Sequence, residues 1–139
     1  MKIQEVMTRD VQVARPDESI QSVARRMSQG DFGFMPVCDG QKLEGAVTDR
    51  DLAVRALAEG KSFETPVAAV MSRDVQWCRA DEDAKSVLKM MGDRQIRRMP
   101  IGDDENRLVG VVAIGDLTGA VHDRHTGDAL EEISKPAGR

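Results

Sequence analysis

The seven residues VMTRDVQ at positions 6–12 return as VMSRDVQ at 70–76, with only Thr8 exchanged for Ser72. The match continues at an offset of 64, which sets ARPDESIQSVARRM (14–27) over CRADEDAKSVLKMM (78–91) and Met35-Pro36 over Met99-Pro100. One extra residue in a predicted hairpin raises the offset to 65, so GAVTDRDL (45–52) lies over GVVAIGDL (110–117). A repeat of this extent in 139 residues demands two copies of one small unit. A half of about 60 to 65 residues buries only about 60% of its unfolded surface, so the two copies are expected to share one core.

Each copy carries the same order of signals. In the first, 11–14 is a short β-prone run, and Asp17 is the predicted cap of a helix whose apolar Ile20, Val23, Ala24 and Met27 recur at helical spacing. The twin uses Asp81, then Ala84, Val87, Leu88 and Met91. Two strands follow, 32–38 and 43–48, around the turn DGQK, and a second helix runs from about Asp49 to Glu59 before Gly60. A further short helix precedes each unit, with Thr65 as cap and Pro66 at the first helical position in TPVAAVM, and a match at 2–7. The expected division is a first repeat over 1–60, a linker at 61–65, a second repeat over 66–121, and a tail at 122–139 whose DALEEIS suggests a short helix.

With 40% hydrophobic and 32% charged residues the chain reads as globular. No apolar run approaches the roughly 18 residues of a membrane span, and MKIQEVMTRD lacks the apolar stretch of a signal peptide, which predicts a cytoplasmic protein. Cys38 and Cys78 are too few for a disulfide framework and read as buried, inert thiols. A net charge of −4, three Phe, one Trp and no Tyr argue against a nucleic-acid platform. His122 and His125 have helix-face spacing, but two ligands do not make a zinc site, so they read as an exposed helix end. The runs at 81–83 and 103–105 read as a helix start and a turn, and Met27, Met35, Met90, Met91 and Met99 as core. Phe32, Phe34 and Trp77 read as core or interface, with one of them able to cover an adenine ring. No nucleophile, base and orienting group stand together, so no catalytic residue is assigned.

The most chemical stretch is GAVTDRD at 45–51, where a strand feeds a helix. Free backbone N–H groups there favour an anion, Thr48 adds a hydroxyl and Arg50 a cation. Asp51 repels phosphate, yet its carboxylate suits a ribose diol, which presents two donors. Thr48 with Asp51 three residues on is also a variant of the capping box and needs no ligand. The second copy has Ala113 in place of Thr48 and keeps Asp116, and an acid retained without its cap partner leans towards a ligand role.

VMTRDV, FGFMPV and GAVTDRD, with VMSRDV, IRRMPI and GVVAIGD in the second copy, resemble the paired cystathionine β-synthase (CBS) domain, or Bateman module. The resemblance covers residues 2–121. It implies an α/β fold of two β-α-β-β-α repeats about a pseudo-twofold axis, with sheets packed together, helices outside and two clefts between the halves. Modules of this kind often bind adenosine nucleotides or S-adenosylmethionine and pair into disc-shaped homodimers. Asp51 and Asp116 match the acid that holds ribose hydroxyls, Thr48 the phosphate-facing hydroxyl, and Thr8 and Ser72 the cleft-lining residue that opens the first strand.

Losing the Thr48 hydroxyl at Ala113 costs about 0.5 to 1.5 kcal/mol, which predicts that the cleft using Thr48 and Asp51 is the better nucleotide site. Arg97 and Arg98 align with Gly33 and Phe34, and one of them is a candidate phosphate ligand, since neighbours in a strand face opposite ways. The reading is a non-enzymatic sensor for AMP, ADP, ATP or S-adenosylmethionine, with no obligatory cofactor, no metal and no membrane, acting on a separate effector protein. The alternatives are a ligand-independent dimeric scaffold, and a redox or metal response through the thiols or histidines.

Overall fold

The computed structural model describes residues 1–121, and the DALEEIS helix and the His122/His125 pair lie outside them. Helix α1 (Ile20–Gly30) buries Ile20, Val23 and Met27 of the expected stripe, while Ala24, expected among them, is exposed. Its cap is Ser19 rather than Asp17: the Ser19 hydroxyl accepts from the Ser22 N–H at 3.1 Å. Asp17 instead pairs with Arg15 at the surface, while Glu18 is held by Ser22 and Arg26, which places the last extended residue at Ser19. Helix α3 (Ala84–Arg94) repeats the shift, with Asp83 accepting from the Ser86 N–H at 3.2 Å where Asp81 was expected.

Strands β1 (Phe34–Asp39) and β2 (Lys42–Thr48) form an antiparallel hairpin that sets Phe34 opposite Thr48. The β-prone run at 11–14 contributes only one bridge, Ala14 parallel to Val37. In the second repeat, β3 (Cys78–Arg79) runs parallel to β4 (Arg98–Gly102), which neighbours β5 (Leu108–Ala113). The fold is thus mixed α/β with two small sheets.

After β2 the chain turns into α2 (Asp49–Asp51), and the helical path continues as a π-helix over Leu52–Leu57 instead of the single α-helix expected. The wider spacing shows in the Ala58 N–H to Ala53 C=O bond at 2.9 Å and the Lys61 N–H to Ala56 C=O bond at 3.0 Å. Helix α4 (Ile114–Thr118) is the counterpart after β5. The short helices expected ahead of each unit are single 3-10 turns, Ile3–Glu5 and Val67–Ala69. Pro66 stands at the cap of the latter, because the Thr65 carbonyl is already engaged by the Ile20 N–H at 2.9 Å.

Compactness divides the chain differently from the repeat. Among the described residues, one unit, here the first-repeat unit, comprises Gln12–Val75 with Asn106–Leu108; the other, the second-repeat unit, comprises Met1–Val11, Gln76–Glu105 and residues 109–121. Each therefore takes a 3-10 turn from the opposite end of the sequence repeat. Ile3 is fully buried with Val87, Leu88, Met91, Met99 and Ile101. Val67 and Val70 are fully buried with Val23, Met35, Val37 and Val47. Among the described residues, two apolar clusters stand where one shared core was expected, each assembled from both repeats. Fully burying one such side chain stabilises by about 1.5–3 kcal/mol, so these exchanged plugs matter to units this small. Among the described residues, no helix is long and apolar enough to cross a membrane.

Candidate ligand-binding site

The end of β2 is pinned to the start of α2 by a reciprocal pair of bonds. The Thr48 N–H donates to Asp51 Oδ2 at 2.9 Å, and the Asp51 N–H donates to Thr48 Oγ1 at 3.1 Å. The Asp49 N–H meets the Gly33 carbonyl at 3.0 Å, and the Arg50 N–H meets Asp49 Oδ1 at 2.9 Å. These four N–H groups were expected to be free for an anion, and that expectation is corrected: local carboxylates, a hydroxyl and a carbonyl satisfy them all. An anion at this junction has to be met by side-chain donors.

Ser72 supplies one, from the second repeat. It bridges antiparallel to Ala46, with the Ala46 N–H to Ser72 C=O bond at 3.0 Å and the Ser72 N–H to Ala46 C=O bond at 2.8 Å. The approach is possible because Gly45 has no side chain: a Cβ there would lie 2.4 Å from the Ser72 carbonyl oxygen. Arg55, one turn beyond Asp51, donates Nη1 to the Met71 carbonyl at 3.1 Å and lies 3.5 Å from Ser72 Oγ. Thr48 with Asp51, and Ser72 with Arg55, thus form two bonded pairs within the first-repeat unit, linked through β2 at Ala46, with Arg50 and Arg55 both exposed.

The second-repeat unit has the same frame with different donors. Thr8, from the first repeat, exchanges N–H to C=O bonds with Val111 at 2.8 and 2.9 Å, and a Cβ at Gly110 would lie 2.8 Å from the Thr8 carbonyl oxygen. Ala113 still donates its N–H to Asp116 Oδ2 at 3.0 Å, but has no side-chain oxygen to return the bond. Asp116 therefore keeps half of its capping role, which removes the inference drawn from its retention beside Ala113. The Arg97 carbonyl accepts the Ile114 N–H at 2.8 Å, which brings Arg97 to this junction; Arg97 and Arg98 are both exposed.

Alignment equates Thr8 with Ser72, while the fold sends each to the other repeat's strand. Arg55 was missed, although its alignment with Ala120 is the contrast that could have found it.

Elsewhere, Cys38 and Cys78 are buried and free. Burial, reinforced by Glu44, pushes the Cys38 thiol up to about 11. Burial, with Glu82, pushes Cys78 up to about 12, so both are poor nucleophiles at neutral pH. Trp77 is at the surface with the Arg79 guanidinium 5.9 Å from its ring centroid, and Phe32 packs against the first-repeat core. Among the described residues, no group of three or more His, Cys, Asp or Glu side chains could hold a metal ion. An open groove of about 590 Å³ runs between α1 and the π-helix, lined by Met27, Phe32, Leu52 and Leu57, with Asp31 and Asp49 among its polar lining. Leu57 is 79% exposed and the nearby Val54 47%.

A strand–helix module present twice, with strand segments exchanged between the copies, is the architecture of paired CBS domains. Residues 3–57 and 67–123 each match the CBS domain family, and the chain belongs to it. It is 38% identical over 133 residues to the CBS domain-containing protein YhcV of Bacillus subtilis (strain 168), a match covering 95% of this chain and 94% of that protein. Among solved structures it is similar to Hypoxic Response Protein I with two coordinated zinc ions, at 27% identity and a TM-score of 0.79, covering 87% of this chain and 99% of that one. It is also similar to the CBS domain pair of protein MJ0100 in complex with 5′-methylthioadenosine and S-adenosyl-L-methionine, at 26% identity and a TM-score of 0.75, covering 86% of this chain and 94% of that one.

Proposed function

We propose that this protein is a non-enzymatic regulatory module that binds an adenosine-containing ligand where the two repeats exchange strands, and passes the signal to a separate effector protein. The observation that carries the reading is that Ser72, from the second repeat, bonds β2 at Ala46, two residues before the Thr48–Asp51 cap of the first. A ligand there touches both repeats, so its binding energy bears on how they are held together. Asp51 uses Oδ2 for the Thr48 N–H and leaves Oδ1 to accept from a ribose diol. The MJ0100 pair, in complex with two adenosine derivatives, supports the ligand class. A partner that prefers the liganded form must in turn tighten the ligand.

The test is thermal unfolding against AMP, ADP, ATP, NAD and S-adenosylmethionine at up to a few millimolar. A ligand at about 100 times its dissociation constant adds about 2.7 kcal/mol. At this chain length that moves the midpoint by roughly 8 to 16 °C. The shift is expected to shrink more in Asp51→Ala than in Asp116→Ala; equal losses would refute the preference for the Thr48–Asp51 site. A ligand-independent homodimeric scaffold is the second reading, favoured by the open apolar groove and exposed Leu57. Sedimentation showing dimers that persist in Leu57→Glu would remove that groove from the interface.

A further inference from the structure

The caps that saturate the Thr48–Asp51 junction change what can recognise the charged end of a ligand. With the N–H groups of residues 48 to 51 all engaged, and two carboxylates within the same turn, phosphate meets repulsion unless a cation is fixed nearby. Arg50 is exposed and lies on the same turn, with its backbone N–H held by Asp49 Oδ1. Arg55 is different. Its Nη1 is anchored on the Met71 carbonyl at 3.1 Å and lies 3.5 Å from Ser72 Oγ. That anchor sits on the segment that bridges β2 at Ala46, two residues before Thr48.

A guanidinium has five N–H donors, and the Met71 carbonyl takes one. Among the described residues no carboxylate pairs with Arg55. Its charge is therefore held in place without being neutralised. A pre-oriented fork loses less freedom on binding a phosphate than a loose side chain does.

Resting on the adenosine-ligand reading, we propose that Arg55 is the phosphate-reading residue of this site and makes it selective for adenosine ligands that carry a 5′-phosphate over those that carry a thioether or sulfonium there. The second-repeat junction has Ala120 at the aligned position and lacks this selectivity from its helix. The same bond gives Arg55 a second consequence. A phosphate that draws the guanidinium weakens its hold on Met71 and Ser72, so ligand charge is felt by the exchanged segment.

The experiment is calorimetric titration of AMP and of 5′-methylthioadenosine into the full chain, in an Asp116→Ala background that isolates the site, with Arg55 native, Arg55→Gln and Arg55→Lys. Circular dichroism and the unfolding midpoint confirm that each variant is folded. AMP affinity is expected to fall about tenfold or more in Arg55→Gln, with 5′-methylthioadenosine changing less than twofold. Arg55→Lys, which keeps the charge without the fork, recovers part of the AMP loss. Equal losses for both ligands would make Arg55 a structural latch only and overturn the proposal, as would no loss for either. If the native protein binds neither ligand, the adenosine reading falls together with it. If it binds both equally well, the proposal falls alone.

Discussion

At Thr48–Asp51 a hydroxyl and a carboxylate cap each other's backbone, an anchored arginine stands one turn away, and Ser72 closes the side. At Ala113–Asp116 the carboxylate makes the same bond to the strand end, the hydroxyl is gone, Ala120 replaces the arginine, and Thr8 closes the side with Arg97 entering from the preceding loop. Backbone geometry is held constant between the two: a two-residue bridge, a glycine at the close approach, and an acid folded back on the strand end. Side-chain donors are what vary. A frame kept by backbone bonds can change the ligand it prefers without being rebuilt, because none of the varied groups carries the fold.

The largest test of that equivalence is on the exchanged plugs. Ile3→Ala is expected to cost about 2–5 kcal/mol, and Val67→Ala, which removes less volume, about 1.5–3 kcal/mol, both read from urea denaturation. A near-zero cost for either would break the claim that both units depend on a segment from the other repeat. Next come the close-approach glycines. Gly45→Ala and Gly110→Ala force the neighbouring carbonyl away at about 1–3 kcal/mol each, with Gly45→Ala the worse because its contact is tighter, 2.4 Å against 2.8 Å.

Smaller still is the cap. Thr48→Ala converts the first junction to the second's half-cap and is expected to cost about 1 kcal/mol, while Ala113→Thr gains up to a similar amount. If Ala113→Thr destabilises, the two junctions differ in backbone as well as side chain.

The least effect near neutral pH comes from the thiols, which the repeat does not place at equivalent positions. Their folded values lie above the ordinary 9.0, at about 11 for Cys38 and about 12 for Cys78. The unfolded chain loses these protons first as pH rises. Their contribution to stability is thus complete below pH 9 and fades as pH climbs through about 11 and then about 12. Unfolding free energy measured from pH 8 to 11 should fall less steeply in Cys38→Ala than in the native protein. A native slope unchanged by the substitution would contradict burial of that thiol.

Much of this architecture could be read from sequence because a repeat reports equivalence directly. The hairpins, both long helices and the strand-to-helix junctions fall where the aligned copies put them. Equivalence says nothing about pairing, however. That Ser72 reaches Ala46, or that Ile3 fills the core around Leu88, depends on which chain segment fits beside Gly45 and which apolar plug fills the space, and these are long-range packing facts. The caps moved from Asp17 and Asp81 to Ser19 and Asp83 because several cap-competent residues stand in a row, and tertiary bonds to Glu18 and Thr65 choose among them. The saturated N–H groups were misjudged for a similar reason: the motif shows donors at a helix start, while Gly33, whose carbonyl occupies the Asp49 N–H, lies sixteen residues earlier.

The exchange of segments also orders events in time. Residues 12–75 form nearly all of one unit and can close as soon as they leave the ribosome, whereas Ile3 donates to Glu82, and Ala84 to Met1. At about 5–20 residues per second, roughly 4 to 16 s of synthesis separate the appearance of those partners. Through that interval the opening segment carries an apolar residue with no core to enter. Nascent chains whose residues 12–75 have emerged while 82–84 have not should therefore hold one protected unit and one protease-sensitive opening segment, which gains protection only once its partners emerge.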